Sequence, residues 1–174
     1  MGGTADRMEA GISLGSNLGD RLAHLRSARA ALQALPWTRI AAASLVYETD
    51  PVDVPAPHQS LRFLNAVLIL STELAPPDLA AALHGIEAEC GRTRKGKPNE
   101  PRTLDLDLIY AGREVIDTPE LTIPHPRWAE RRFVVQPLCD VRPDLVLPGQ
   151  ALSVAGILLT LPDTPKVVLF GERW

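Results

Sequence analysis

Two aspartates stand two positions apart in the segment PRTLDLDLIYAG, whose alternating pattern predicts a strand over 103–110. Residues i and i+2 of a strand point to the same face, with Cα atoms roughly 7 Å apart because each residue advances the chain by about 3.3 Å. Asp105 and Asp107 therefore project together, while the leucines between and beside them face the core. A carboxylate pair suits Mg²⁺, which takes one or two carboxylates plus waters and substrate phosphates. The same pattern is also typical of an amphipathic strand whose polar face meets water.

Cationic side chains cluster directly before this strand, at Arg92, Arg94, Lys95, Lys97 and Arg102. Arginine binds phosphate through two parallel hydrogen bonds, and cations around a carboxylate pair suit a metal–polyphosphate complex. The two lysines are typical of a solvated loop. Arg102 adjoins the strand and its aspartates, so we expect it to take part in the chemistry.

Composition limits the classes of protein that this chain can represent. Its 174 residues suit one globular domain, spanning 1–174, and 45% are hydrophobic. A net charge of −3 argues against general nucleic-acid binding, which needs a basic face. Cys90 and Cys139 lack the spacing of a zinc site. Without a signal-peptide pattern or a long apolar run, we expect a cytoplasmic protein that binds neither nucleic acid nor membrane.

The elements that must position the aspartates follow from the spacing of apolar residues. Period two predicts strands and spacings of three and four predict helices. The predicted strands cover 8–14, 38–47, 63–72, 103–110 and 166–170, and the predicted helices cover 20–35, 76–90, 127–136 and 153–161. The order β-α-β-β-α-β predicts an α+β, ferredoxin-like fold with one antiparallel sheet and helices on one face. Gly15 and Gly19 are interpreted as turn residues, and Asp20 as a helix cap.

Two aromatic residues and an amide raise a second question. Phe63 and Asn65 end the proline-rich loop 49–65, and Phe133 lies 70 positions beyond Phe63. Both rings could belong to the core, the commoner place for phenylalanine. Two aromatic faces and one amide are also what a flat heterocycle with a donor and acceptor edge requires.

Several motifs together resemble one family. GSNLGDR, YETDPV, FLNA, PRTLDLDLIYAG, LTIPHP and RRFVVQPL, in this order, are similar to the 6-hydroxymethyl-7,8-dihydropterin pyrophosphokinases, over about residues 9–150. The resemblance implies a ferredoxin-like fold. It also implies transfer of the β,γ-pyrophosphoryl group of ATP to the pterin hydroxymethyl group, giving AMP and the pterin diphosphate, a step of tetrahydrofolate biosynthesis.

The resemblance also implies roles for individual residues. Asp105 and Asp107 would hold two Mg²⁺ ions, and Arg92 and Arg102 would be catalytic with them. ATP would contact Arg94, Leu108, Thr122, His125 and Arg131. The pterin would contact Thr49, Pro51, Val52, Phe63, Asn65 and Phe133, with the two rings on either side of it. We expect a monomer, able to contact neighbouring folate enzymes, and assign no general base.

The sequence departs from the family at several places, among them the loop between Thr49 and Asn65, which is longer than in the shortest members. Asn99-Glu100 replace the Trp-Gly that many members carry, Pro126 replaces a tyrosine, and Glu120 replaces an arginine. Two other functions use the same residues. A ferredoxin-like RNA- or ligand-binding module would leave the aspartates in water, but it should show stacking aromatics and a basic sheet face. A Mg²⁺-dependent nuclease would use the aspartates as the kinase does.

Overall fold

The computed structural model describes residues 6–51, 61–91, 103–171 and 173–174. Its strands are β1 Met8–Ser16, β2 Thr38–Ala43, β3 Val46–Thr49, β4 Phe63–Thr72, β5 Asp105–Ala111, β6 Ile116–Asp117, β7 Thr122–Ile123 and β8 Val167–Gly171. Its helices are α1 Arg21–Gln33, α2 Pro76–Glu89, α3 Arg132–Val141 and α4 Val154–Thr160, with a 3-10 helix at Trp128–Glu130. The elements predicted from the sequence are thus present, most with ends that differ by one or two residues; the predicted helix 127–136 is instead the 3-10 helix followed by α3, which begins and ends five residues later.

The main sheet is antiparallel and has the strand order β5-β1-β4-β3-β8, with β2 also paired to β4. The predicted strand 38–47 is divided into β2 and β3, which pair with successive parts of β4. Ser44 causes the break: its backbone N–H donates to the Val67 carbonyl at 2.9 Å, and its Oγ accepts from the Val67 N–H at 2.8 Å. With β2 and β3 counted as one broken strand, the β-α-β-β-α-β order and the sheet order confirm the ferredoxin-like prediction.

One face of the sheet packs against α1 and α2. The alternate residues Ala10, Ile12 and Leu14 of β1 are fully buried in this core. The two helices contribute residues spaced three and four apart, which share one helix face: Leu25, Ala28, Leu32, Leu79, Leu83 and Ile86. The leucines of β5 lie in the same core, so its aspartates point to the opposite face, as predicted.

The opposite face is also covered, so the prediction of helices on one face was wrong. Val67 and Ile69 of β4 are fully buried under α3 and α4, in a second core with Val135 and Leu138. A strand that is apolar on both sides, as β4 is, must exclude water from both. Asp140 ties α3 to the sheet by accepting a 2.8 Å hydrogen bond from the Tyr47 hydroxyl. This second layer leaves the Phe63 end of β4 open, and a cavity lies there.

Two turn predictions have different outcomes. Asp20 caps α1, because its Oδ1 accepts from the Ala23 N–H at 3.1 Å, and Gly19 has φ 70°, as a turn glycine should. Gly15, predicted as a turn residue, is instead part of β1. Within the described ranges no helix combines the length and the apolar character needed to cross a bilayer.

Candidate active site

Three neighbouring strands place the predicted site residues in one row. Gly15 on β1 pairs with Asp105 on one side and with Asn65 on the other. A Cβ atom at position 15 would lie 3.2 Å from the Asn65 Oδ1, a closer approach than most Cβ contacts. Ser13, one step along the same face, pairs with Asp107. The small residues of β1 therefore form the floor of an opening, with carboxylates on one side and an amide on the other.

A cavity of about 100 Å³ lies above this floor. We call it the aromatic cavity, and its lining is Ser13, Gly15, Thr49, Asp50, Phe63, Asn65, Asp105, Asp107, Arg131 and Phe133. It unites both aspartates with both phenylalanines, although the sequence separates Phe63 from Phe133 by 70 positions. Arg131, predicted to contact ATP, lines this cavity too, and its guanidinium carbon lies 5.7 Å from the centre of the Phe133 ring.

The polar wall of the aromatic cavity is built by a buried pair. The Asn65 Nδ2 donates to the Thr49 Oγ1 at 2.7 Å, and both side chains are almost fully buried. An amide carries two N–H donors and one carbonyl acceptor, and a threonine hydroxyl that accepts still has its own proton to donate. The pair can therefore offer both donors and acceptors to the edge of a ring held in the cavity.

A second cavity, of about 200 Å³, lies along the outer edge of β5. We call it the hairpin cavity, because β6 and β7 form a hairpin beside it; its lining is Ala80, Leu83, His84, Leu106, Asp107, Leu108, Glu120, Leu121, Thr122, His125 and Pro126. Three of the residues predicted to contact ATP are brought together here: Leu108, Thr122 and His125. Asp107 lines both cavities, so it lies where they meet.

His125 is held in one orientation by its neighbours. Its backbone N–H donates to the Ile109 carbonyl at 2.8 Å, which fixes this segment to β5, and its Nδ1 accepts from the Arg127 N–H at 3.1 Å. The neutral ring therefore carries its proton on Nε2. Burial, helped by the positive charge of Arg131, lowers the pKa of His125, although Asp105 acts in the opposite direction. The ring is thus a neutral hydrogen-bond donor at neutral pH.

The aspartates fit magnesium held partly by a substrate. In the described part of the chain no group of three or more His, Cys, Asp or Glu side chains forms a metal cage. Mg²⁺ seldom uses such cages, since it binds through one or two carboxylates together with waters and phosphates. Asp105 and Asp107 are half-buried and share one cavity, which is the arrangement that such binding needs.

Other predicted residues fall outside these cavities or outside the described ranges. Pro51 is half-buried and is not part of either lining. Arg92, Arg94, Arg102 and Val52 lie outside the described residues, so their predicted roles stay predictions.

The sequence reasoning missed three lining residues of the aromatic cavity: Ser13, Gly15 and Asp50. The alternation of β1 could have indicated the first two, because they lie opposite its apolar face. Asp50 has no such signal; it forms an ion pair with Arg62 at 3.1 Å at the rim.

Comparison with known proteins gives a consistent result. Residues 11–143 match the profile of the family described as 7,8-dihydro-6-hydroxymethylpterin-pyrophosphokinase. A 2-amino-4-hydroxy-6-hydroxymethyldihydropteridine pyrophosphokinase of Pseudomonas aeruginosa is 44% identical over 137 residues, which are 79% of this chain and 82% of that protein. A protein of the same name from Bacillus subtilis is 42% identical over 130 residues, 75% of each chain.

Solved structures show the same fold at lower identity. The crystal structure of wild-type Plasmodium falciparum HPPK-DHPS with pteroate superposes with a TM-score of 0.68 and 13% sequence identity. The match covers 88% of this chain and 42% of that one, so the chain spans less than half of the length of this solved relative.

Proposed function

Because the chain belongs to the 7,8-dihydro-6-hydroxymethylpterin-pyrophosphokinase family, we propose that it transfers pyrophosphate from ATP to 6-hydroxymethyl-7,8-dihydropterin in folate biosynthesis. The observation that carries the proposal is the position of Asp107 at the junction of two cavities. One cavity has aromatic walls and a polar edge for the pterin. The other has an apolar wall and the His125 donor for the nucleotide. The phosphate chain would then extend between them past the aspartates.

The step joins the two substrates at phosphorus. The hydroxymethyl oxygen attacks the β-phosphorus, the bond from that phosphorus to the α,β-bridging oxygen breaks, AMP leaves, and the hydroxyl proton is released. Catalysis of phosphoryl transfer is mostly positioning and charge neutralisation. In this chain Asp105 and Asp107 would hold two Mg²⁺ ions, which when bound neutralise phosphate charge and make the hydroxyl easier to deprotonate. A separate general base is therefore not assigned.

The aromatic cavity suits the pterin. Phe63 and Phe133 would stack on the two faces of the ring, and their half-exposed state leaves ring surface for that contact. Asn65 and Thr49 would hydrogen-bond to its edge, since both are aimed into the cavity as a bonded pair. Arg131, above Phe133, is placed to contact phosphate that reaches over the ring. We assign Pro51 and Val52 to the same substrate through the family resemblance alone.

The hairpin cavity suits ATP. Leu108 and its strand edge would meet the adenine, while Thr122 and the Nε2–H of His125 would donate to ribose or phosphate oxygens. The family resemblance assigns Arg94 to the phosphates and Arg92 and Arg102 to the charge that develops in the transition state. We further propose that the chain forms a single domain and acts as a monomer.

Measuring AMP tests the proposal. We expect AMP to form from ATP and Mg²⁺ only when 6-hydroxymethyl-7,8-dihydropterin is present, in amounts equal to the pterin consumed. The Asp107→Asn variant, which we expect to fold but to be inactive, is the control for contaminating enzymes. Two results would contradict the proposal: AMP formation that does not depend on the pterin, or cleavage of RNA or DNA by the wild type that the variant lacks. The second result would favour the nuclease.

A further inference from the structure

Helix α2 carries a buried acid beside the metal-binding strand. Glu87 is 2% exposed, and its Oε1 accepts a hydrogen bond of 2.7 Å from the backbone N–H of Leu106. Leu106 stands between the two aspartates. Hydrogen bonds to a carboxylate are roughly twice as strong as those between neutral groups, and burial removes competition from water.

The bond lies on the edge of β5 that none of the described strands pairs with. Leu106 lies opposite Leu14 of β1, but its N–H donates to Glu87, so it points away from β1. Because N–H groups alternate along a strand, those of Asp105 and Asp107 point towards β1. An edge N–H that is buried without a partner is costly. Glu87 supplies the partner that a further strand would otherwise provide.

A second hydrogen bond joins the same two elements. The Thr103 hydroxyl donates to the Cys90 carbonyl at 2.6 Å, immediately after the end of α2 and before the start of β5. The two bonds hold the end of α2 against the beginning of β5 at two points. The strand segment with the aspartates is therefore held on both sides, by β1 and by α2.

We infer that Glu87 is a positioning residue for the metal-binding aspartates. The N–H that it binds belongs to the peptide unit between Asp105 and Leu106, which is planar and rigid. Fixing that plane, while β1 fixes the flanking residues on the other side, constrains the backbone at Asp105 directly and at Asp107 through Leu106. The directions in which the two side chains leave the strand are constrained with it. Glu87 lines neither cavity, so it acts through the strand. The inference rests on the proposed function, because it takes Mg²⁺ as the ligand of those aspartates.

The test compares three variants with the wild type. Glu87→Ala removes the acceptor, Glu87→Gln keeps an acceptor oxygen at the same length, and Glu89→Ala removes an exposed acid two residues further along α2 as the matched control. Amide hydrogen exchange at Leu106 reports the bond directly. Calorimetric titration of Mn²⁺ into the protein with a non-hydrolysable ATP analogue reports the metal site without turnover.

We expect Glu87→Ala to weaken Mn²⁺ binding about 10- to 100-fold, the range seen for partners that orient metal ligands. Leu106 should exchange faster in this variant, and binding of the pterin alone should not change. Glu87→Gln should restore most of the affinity, and Glu89→Ala should behave as the wild type. If Leu106 exchanges faster while Mn²⁺ affinity stays normal, Glu87 is a structural residue only and the inference is wrong.

Should Glu87→Ala fail to fold, Glu87→Asp decides, because it keeps the charge but withdraws the oxygen by one methylene. Weaker Mn²⁺ binding in that variant supports the inference, and unchanged binding with faster Leu106 exchange overturns it. The failure of the proposed function is a separate result: a wild type that binds Mn²⁺ but forms no AMP with the pterin would contradict the function and leave the metal measurement valid.

Discussion

Replacing the cavity phenylalanines separates a binding role from a core role. Phe63→Ala and Phe133→Ala each remove one wall of the aromatic cavity. If the two rings enclose the pterin, each variant should lose affinity for it while affinity for ATP barely changes, since the hairpin cavity contains neither ring. A core role would instead lower the stability of the fold and weaken both ligands together.

The magnitudes differ enough to be measured. Loss of one aromatic stacking partner costs about 1–3 kcal/mol, by analogy with nucleic-acid bases, which is about 5- to 140-fold in the dissociation constant. Truncating a fully buried phenylalanine costs about 3–5 kcal/mol of stability. Both rings are only half-buried, so the loss of stability should fall below that range.

The assay is calorimetric titration of the pterin and, separately, of Mg-ATP, with thermal unfolding of the same samples. Phe170→Ala is the matched control, because Phe170 is 47% exposed on β8, packs under the Arg21 guanidinium and lines neither cavity. It should leave both affinities unchanged. Large losses of stability without a selective loss of pterin affinity would return Phe63 and Phe133 to the core and refute the reasoning.

Three further predictions concern charge. Asp107→Asn should abolish turnover, because one of the two metal-binding carboxylates is lost. The unfolding temperature should change little, because the substitution relieves repulsion between two like charges and opens no cavity in the core. Near-normal activity would contradict this prediction. Hydrogen bonds from Arg142 lower the pKa of Glu9 below 4.5. The ionised Glu9 therefore stabilises the fold above that pH, and this stabilisation is lost as the pH falls through the pKa of the folded state. Glu9→Gln should reduce the loss of stability in a series of unfolding measurements at acid pH. Burial lowers the pKa of His125 below 6.5, so its contribution to stability should be complete above pH 6.5 and decline below it, a decline that His125→Gln should remove.

Much of the site could be predicted because it depends on local periodicity. Alternation along β5 places Asp105 and Asp107 on one face whatever the rest of the chain does. The buried faces of α1 and α2 also follow from local spacing, because their apolar residues recur every three or four positions. Glu87 illustrates a signal that was available but not used: it lies four residues after Leu83, on the buried stripe of α2, where an acid needs a partner.

The features of the fold and the site that could not be predicted depend on contacts between segments that are distant in the sequence. The break at Ser44 comes from hydrogen bonds to Val67, which no local pattern contains. The second helical layer is required by the two-sided burial of β4, but the sequence does not say which later segment provides it. The convergence of Phe63 and Phe133 likewise requires α3 to dock on the sheet, and the family resemblance alone could anticipate it.

The products of a single turnover test the central claim most directly. The wild type is mixed with Mg²⁺, the pterin and ATP radiolabelled at the β- and γ-phosphorus, and the products are separated and followed by their radioactivity. We predict that both labelled phosphorus atoms appear together on the pterin as a diphosphate and that unlabelled AMP is the other product. A pterin monophosphate with labelled ADP, or labelled free pyrophosphate beside an unchanged pterin, would contradict the account.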